Sequence, residues 1–178
     1  METPKGFNAL VTGTPGTGKT TMGQMLAQEL GLNHIEIGKV IKENEFHSGY
    51  DEHFDTYEVT EDDEDRLMDY LEPIMIRGNN VIDYHSCDFF PKRWFHLVLI
   101  LRASTEQMFD RLTARGYSEH KRDENCEAEI MNVVEETARD SYDDAIVVAR
   151  ENNTVEEMMA TVEFVAAAME QVTVERDA

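Results

Sequence analysis

Near its N-terminus the chain reads Gly13-Thr14-Pro15-Gly16-Thr17-Gly18-Lys19-Thr20, followed by Thr21. The pattern Gly-x-x-x-x-Gly-Lys-Thr is that of a P-loop, which binds nucleotide phosphates between a strand and a helix. The flanking sequence fits this setting, because residues 7–11 are an apolar run typical of a buried strand and residues 20–30 have the apolar spacing of a helix. The alternative is a glycine-rich turn without a ligand, which gives no reason for the lysine or for its spacing from the glycines.

The chemistry of a P-loop gives each of these residues a task. Gly13, Gly16 and Gly18 permit backbone conformations that residues with a Cβ avoid, so that backbone N–H groups can surround an anion. Lys19 is expected to reach the β- and γ-phosphates, and the hydroxyl of Thr20 is expected to bind Mg²⁺. The sequence therefore predicts binding of a nucleoside triphosphate such as ATP, with Mg²⁺ as the cofactor.

The chain carries a formal charge of −21, from 37 acidic and 16 basic residues. A surface of this charge repels the phosphates of nucleic acid and attracts basic partners, so we expect no direct tight binding of nucleic acid. The densest acidic stretch, residues 58–65, has two interpretations. It begins a helix that Thr60 and Asp63 cap, or it forms a docking surface for a basic protein.

The remaining composition predicts a single domain, residues 1–178, inside the cell. A chain of this length suits one hydrophobic core. Cys87 and Cys126 lack the spacing of a Cys-x-x-Cys motif and are expected to be reduced thiols. No apolar run approaches the ~18 residues of a membrane span, and the N-terminus does not resemble a signal peptide, so no membrane association is expected.

Strand and helix signals alternate along the chain, which predicts an α/β fold with a parallel sheet covered by helices on both faces. The five predicted strands cover residues 7–11, 33–37, 81–83, 96–101 and 146–148. The predicted helices cover residues 20–30, 39–45, 61–76, 104–115, about 124–142, and a last segment after Thr154. Residues 49–51 lie in an irregular stretch, and residues 116–124 form a charged segment.

Two polar residues follow the third predicted strand. Asp83 ends this strand, and in P-loop enzymes an aspartate at such a place holds Mg²⁺, usually through water. His85 lies on the same side of an extended chain, so it can face the γ-phosphate and orient a water molecule. The alternatives are a polar strand end for Asp83 and a structural histidine for His85.

Four sequence blocks together resemble one known family, adenylate kinase isoenzyme 6, also called the coilin-interacting nuclear ATPase. The blocks are the P-loop with Thr21, Gly49-Tyr50-Asp51-Glu52, Asp83-Tyr84-His85-Ser86-Cys87-Asp88-Phe89-Phe90-Pro91-Lys92-Arg93-Trp94-Phe95, and Arg115-Gly116-Tyr117. The resemblance runs from about residue 5 to residue 165, and the third block is more specific than the P-loop.

The resemblance implies a P-loop nucleoside monophosphate kinase fold with five parallel strands and a short lid. It also implies adenylate kinase and ATPase activities, and a role in the maturation of small-subunit (18S) ribosomal RNA. The implied partner is a basic small-subunit ribosomal protein, which fits the charge of −21. The implied locations are the nucleus and the cytoplasm.

The resemblance also implies roles for particular residues. The ATP contacts fall on Gly16, Gly18, Lys19, Thr20 and Thr21. The lid arginine is Arg115, in a lid at residues 114–124, and residues 36–59 form the monophosphate-binding arm. The family's Asp-x-His element is Asp83 and His85, so the expected catalytic residues are Lys19, Asp83, His85 and Arg115.

The expected AMP site departs from the family pattern. The arm reads Gly38-Lys39 and then Lys42, where family members commonly have Gly-Asp followed by an arginine. A lysine keeps the charge but loses the two aligned donors with which an arginine grips a phosphate, so we expect weaker binding of AMP. Arg139 is a further candidate for AMP binding, and the alternative is a surface arginine that pairs with Glu135 one helical turn away.

Three functions are open at this stage. The chain is a metabolic kinase that transfers phosphate from ATP to AMP, or it is mainly an ATP-driven ribosome assembly factor with weak kinase activity. A small-metabolite kinase of the shikimate or gluconate type shares the P-loop but does not account for residues 83–95.

Overall fold

The structure, a computed structural model, describes residues 1–52 and 56–178. In these ranges the strands are β1 (Asn8–Thr12), β2 (Asn33–Glu36), β3 (Gly49–Asp51), β4 (Thr56–Glu58), β5 (Asn80–Asp83), β6 (Leu97–Arg102) and β7 (Val147–Glu151). Five of them form a parallel sheet in the order β2-β5-β1-β6-β7, and β3 and β4 form a separate antiparallel hairpin. The predicted α/β fold with five parallel strands is confirmed.

Seven α-helices occur in the described ranges. They are α1 (Lys19–Leu30), α2 (Ile37–Glu43), α3 (Glu61–Arg77), α4 (Thr105–Ala114), α5 (Glu119–Ile130), α6 (Val133–Ser141) and α7 (Val155–Asp177), and Lys92–Trp94 form a 3₁₀ turn. The acidic start of α3 is a capping box, because the Thr60 hydroxyl accepts a bond from the Asp63 backbone while the Asp63 carboxylate accepts one from the Thr60 backbone. This confirms the capping interpretation of residues 58–65.

The central strand β1 is buried on both of its faces, because successive side chains point to opposite sides of the sheet. Leu10 belongs to a core that also contains Leu67 of α3 and Ala138 of α6. Val11 belongs to a second core, which includes residues of α1 and α7. The sheet therefore lies between these two helix layers, as the continuous apolar runs of its strands predict.

The parallel strands all end at the same edge of the sheet. There β1 ends at Thr12, its neighbour β5 ends at Asp83, and its other neighbour β6 ends at Arg102. From β1 the chain continues to β2 and β5, which lie on one side of β1 in the strand order. It then crosses to β6 and β7, which lie on the other side of β1. Ligands of open α/β sheets bind in the crevice at such a point, and here the P-loop crosses it.

The structure corrects two predictions about the second half of the chain. Residues 116–124, predicted as a charged segment before the next helix, already contain the start of that helix. α5 begins at Glu119, after a cap in which the Ser118 hydroxyl accepts a bond from the Lys121 backbone. The single helix predicted after them is two helices, α5 and α6. The break falls at Asn132, whose φ of 57° lies in the left-handed region and ends the regular hydrogen bonding.

The arm predicted at residues 36–59 contains α2 and the antiparallel pair of β3 and β4, so residues 49–51, predicted to be irregular, form a strand. Tyr50 and Tyr57 lie opposite each other in this hairpin, with ring centroids 5.2 Å apart. Residues 53–55 of the arm lie outside the described residues. Across the part of the chain that the structure describes, no helix has both the length and the apolar character to span a membrane.

Candidate active site

The P-loop connects the end of β1 to the start of α1. Gly18 precedes the helix with φ 93°, in the left-handed region where a side chain is strained. A Cβ at this position would also lie within 3.0 Å of Nδ2 of Asn152, the residue after β7. The same Asn152 amide donates a 2.8 Å hydrogen bond to the carbonyl oxygen of Thr17, so a distant loop holds the P-loop in shape.

Lys19 lies at the first position of α1 and folds back over the loop. Its Nζ donates hydrogen bonds of 2.9 Å to the carbonyl oxygen of Gly13 and 3.3 Å to that of Thr14. Desolvation lowers the pKa of Lys19 from 10.5 to about 8, against the opposing effect of the Asp83 carboxylate. The nearby charge of Arg115 lowers this pKa further.

A cavity of about 390 Å³, the lid cavity, opens over the P-loop. It brings together six of the predicted site residues, namely Gly16, Gly18, Lys19, Thr20, His85 and Arg115. Its wall also includes Tyr117, Lys121 and Asn125, from α5 and the turn before it, for which no individual role was predicted. The Lys121 ammonium lies 4.0 Å from the centroid of the Tyr117 ring.

A second cavity of about 270 Å³, the arm cavity, lies between the P-loop and the predicted arm. Lys19, Asp83 and His85 line it together with Gly38 of α2. Within the described residues, its wall contains neither Lys39 nor Lys42, and both of these lysines are exposed. The structure thus brings Gly38 to the site but leaves the two arm lysines outside this wall.

A third cavity of about 520 Å³, the α7 cavity, lies on the other side of the P-loop. Its wall includes Gly16, Gly18, Thr21 and Arg115 together with residues 152–155 at the start of α7. Arg111 of α4 also lines it, and the Arg111 guanidinium donates bonds of 3.2 Å to the Gly16 carbonyl and 2.8 Å to the Asn152 carbonyl. Arg115 therefore borders both the lid cavity and the α7 cavity.

His85 borders both the lid cavity and the arm cavity, and it is uncharged at neutral pH. Desolvation lowers its pKa from 6.5 to about 4, and the positive charge of Lys19 adds to this effect. Its ring packs against Tyr84, with centroids 4.4 Å apart. A neutral imidazole at this position can accept or donate a hydrogen bond but cannot act as a cation toward a phosphate.

Asp83 is buried at the end of β5, and one of its carboxylate oxygens accepts a hydrogen bond from Nε2 of His34. His34 belongs to β2, the neighbouring strand, and was not among the predicted site residues. No motif signals this pair, because 49 residues separate its members along the chain and only the strand pairing brings them together.

The P-loop is also tied to α5 through a buried carboxylate. The Thr14 hydroxyl donates a 2.6 Å hydrogen bond to Glu129, which is only 5% exposed. Arg102, at the end of β6, pairs with the same carboxylate and donates a 2.8 Å bond to Glu135 of α6. These contacts link the loop, the sheet edge and the two helices that follow Arg115.

Arg139 does not join the cavities. Its guanidinium donates bonds of 3.1 and 2.9 Å to Glu135, and it lies 3.4 Å from the Asp144 carboxylate. This is the pairing that the alternative interpretation predicted, and among the described residues the walls of the three cavities do not include Arg139. The structure therefore gives no support to its assignment to AMP binding.

Comparison of the sequence with those of known proteins shows the family to which the chain belongs. The sequence model of the AAA domain family matches residues 10–132. An adenylate kinase isoenzyme 6 homologue of Dictyostelium discoideum is 44% identical over 150 residues, which cover 84% of this chain and 84% of that protein. The homologue of Schizosaccharomyces pombe is 46% identical over 151 residues and 85% of each chain. The chain belongs to the adenylate kinase isoenzyme 6 family.

Membership of the adenylate kinase isoenzyme 6 family makes the chain a P-loop nucleotide kinase, and it confirms the resemblance carried by the four sequence blocks. Among solved structures, a shikimate kinase from Bacteroides thetaiotaomicron matches with a TM-score of 0.61, and the match covers 92% of this chain and 98% of that one. Its sequence is 17% identical, so this likeness concerns the fold alone.

Proposed function

We propose that the protein transfers the γ-phosphate of ATP to AMP. The observation that supports this proposal best is that Lys19 and His85 line both the lid cavity and the arm cavity. A donor phosphate in the first cavity and an acceptor in the second would therefore meet beside the P-loop lysine. Phosphoryl transfer needs this arrangement, because its catalysis is mostly placement of the two substrates and neutralisation of their charge.

The order of the cavities suggests how ATP lies. The α7 cavity and the lid cavity share Gly16, Gly18 and Arg115, so a nucleotide can extend through both. Its phosphates would lie over the P-loop, at Lys19 and Thr20, and its base would point toward Thr21 and the start of α7. Arg115, between the two cavities, would then contact the phosphate chain from the side of the lid.

The residues of this site fit Mg²⁺ bound with ATP. Mg²⁺ usually keeps several water ligands and takes one or two protein oxygens together with the phosphates. Thr20 lines the lid cavity, the buried Asp83 lines the arm cavity, and the described residues contain no cluster of three potential metal ligands that would form a separate metal site. When bound, the ion would neutralise negative charge on the β- and γ-phosphates.

The acceptor site supports AMP as a weakly held substrate. Gly38 and His85 line the arm cavity, but Lys39 and Lys42 are exposed beside it. A phosphate in this cavity would be met mainly by Lys19 unless the arm closes over it. Because a weakly bound acceptor leaves room for water beside the γ-phosphate, we infer that hydrolysis of ATP accompanies the transfer.

A second candidate function is assistance in the assembly of the small ribosomal subunit, in the nucleus and the cytoplasm. The family resemblance suggests it, and the charge of −21 supports a basic ribosomal protein as the partner. Binding should weaken steeply as the salt concentration rises, because opposite charges provide much of the attraction. Pull-downs at two salt concentrations, with and without ATP, test this, and tight binding of RNA alone would contradict it.

A screen of phosphate acceptors with γ-labelled ATP tests the proposed kinase activity. We expect the label to appear in ADP when AMP is present and in inorganic phosphate when AMP is absent. Shikimate and gluconate serve as controls for small-metabolite kinases of the same fold. Transfer to either of them, with none to AMP, would contradict the proposal, and stimulation of hydrolysis by a basic ribosomal protein would favour the assembly function.

A further inference from the structure

We propose that His34 is a positioning residue that holds the carboxylate of Asp83 for Mg²⁺. This inference rests on the proposed function, in which Asp83 binds the ion of MgATP through water. It concerns a residue outside the P-loop and outside the Asp-x-His element.

The contact between the two residues is largely shielded from solvent and specific. Nε2 of His34 donates to Oδ2 of Asp83, and the side chains are 14% and 5% exposed. Parallel pairing of β2 and β5 places His34 opposite Val81 and Glu36 opposite Asp83, so the imidazole must lean along the sheet to reach the carboxylate. A hydrogen bond to one oxygen fixes the rotation of a carboxylate and leaves the other oxygen directed elsewhere.

The fold reserves space for this imidazole. Gly23 lies in α1, where a residue with a side chain would favour the helix more strongly. A Cβ at Gly23 would lie within 3.0 Å of Nε2 and Cδ2 of His34. The glycine therefore keeps the histidine ring between α1 and the sheet edge, in the position from which it reaches Asp83.

In this arrangement His34 contacts the proposed metal-binding carboxylate without contacting the metal itself. Partners that orient metal-binding groups affect metal affinity by about 10–100-fold when they are removed. Asp83 lies near the Lys19 ammonium and borders the arm cavity. A carboxylate free to rotate could therefore turn toward the Lys19 ammonium instead of toward Mg²⁺. The hydrogen bond from His34 restricts this rotation of the Asp83 carboxylate before the nucleotide binds.

The experiment measures the affinity for a fluorescent ATP analogue in excess Mg²⁺ and in excess EDTA. For His34→Phe, which lacks the donor, we expect about 10-fold weaker binding in Mg²⁺ and unchanged binding in EDTA. His34→Gln keeps a donor and should retain most of the Mg²⁺ effect. Gly23→Ala keeps His34 but displaces its ring, and it should behave like His34→Phe while α1 stays intact.

Gln24→Ala, an exposed change at the next position of α1, is the matched control and should bind as the wild type does. A wild-type Mg²⁺ effect in folded His34→Phe or Gly23→Ala would overturn the proposal, as would equal losses with and without Mg²⁺. Asp83→Asn tests the metal-binding role of Asp83 separately from the role of His34. If this variant keeps the Mg²⁺ effect, the assignment of Asp83 fails, whereas if only the His34 variants keep it, the role of His34 alone fails.

Discussion

Lys19 Nζ donates a 2.9 Å hydrogen bond to the carbonyl oxygen of Gly13, at the other end of the P-loop. The bond places the ammonium over the loop, next to the lid cavity and the arm cavity, where phosphates would lie. A phosphate oxygen would have to compete with this carbonyl, and it can do so because a charged acceptor binds an ammonium more strongly than a neutral one.

Lys19→Ala should lower kcat/KM for both transfer and hydrolysis by about 100-fold or more, because it removes a charge that stabilises the transition state. The fold should persist, since the removed ammonium contacts backbone carbonyls of a loop that other bonds also hold. Circular dichroism and thermal unfolding check the fold. Near wild-type activity in a folded variant would contradict the P-loop assignment.

Binding of ATP should weaken as the pH rises from 7 to 9. The pKa of Lys19 in the folded protein is lowered from 10.5 to about 8 by desolvation, so its positive charge is present below about pH 8 and is lost above it. Fluorescence titration of a nucleotide analogue at several pH values measures this effect. Lys19→Arg stays charged throughout and should show a flatter profile, and identical profiles would contradict the assignment.

His85 should remain uncharged down to about pH 5 in the nucleotide-free protein. Burial and the Lys19 charge lower its pKa to about 4, so its proton is gained only in acid. The chemical shift of its ring protons in NMR spectra reports this titration. An inflection between pH 6 and pH 7 would show that the ring is more hydrated than its burial indicates.

The neutral ring has a kinetic consequence. His85→Gly should lower the rate of hydrolysis more than the affinity for ATP, because the wild-type imidazole can position water without attracting the phosphate charge. Equal losses of rate and affinity would instead indicate a structural histidine. Measuring the rate of ATP hydrolysis and the affinity for ATP on the same protein preparation distinguishes these outcomes.

Glu129→Gln should lower the free energy of unfolding by about 1–3 kcal/mol, the usual cost of a disrupted buried polar contact. The carboxylate pairs with Arg102 and accepts the Thr14 bond of 2.6 Å, and a glutamine can replace only part of this. Urea unfolding measures the change. Glu136→Gln, one helix later and exposed, is the control and should be within about 0.5 kcal/mol of the wild type.

Changing Lys42 to arginine should lower the KM for AMP and leave the KM for ATP alone, if the arm moves over the arm cavity during turnover. An arginine offers two aligned donors to a phosphate where lysine offers a point charge. Steady-state kinetics with each substrate varied in turn measure the two constants. An unchanged or raised KM for AMP would mean that Lys42 stays exposed throughout the reaction.

The sequence predicts those parts of the site whose signals are local. The P-loop places Gly18 and Lys19 by a fixed spacing, and the alternation of apolar runs predicts the five strands and hence the position of Asp83. The capping box at Thr60 and Asp63 is likewise a pattern of neighbouring residues, and the structure contains it.

The residues that the sequence does not predict act across the fold. His34 meets Asp83 only because β2 pairs with β5, and Glu129 meets Thr14 across 115 positions of the chain. Asn152 reaches the P-loop from the end of β7. Asn132 separates α5 from α6 by its left-handed backbone conformation. The residues around it are compatible with a helix, so the sequence gives no sign of this break. The His34 contact depends on the register of the sheet, and the contacts of Glu129 and Asn152 depend on how a helix and a loop pack at the sheet edge, which no short window of sequence contains.

The most direct test uses a dinucleotide whose two adenosines are joined by five phosphates, which spans donor and acceptor sites at once. If the α7, lid and arm cavities form one continuous site around Lys19, calorimetry should show one molecule bound per chain. It should bind at least about 100-fold more tightly than ATP or AMP alone, because it joins the two substrates in one ligand. Both ATP and AMP should compete with it. Binding no tighter than that of ATP, with AMP still able to bind alongside, would contradict the account.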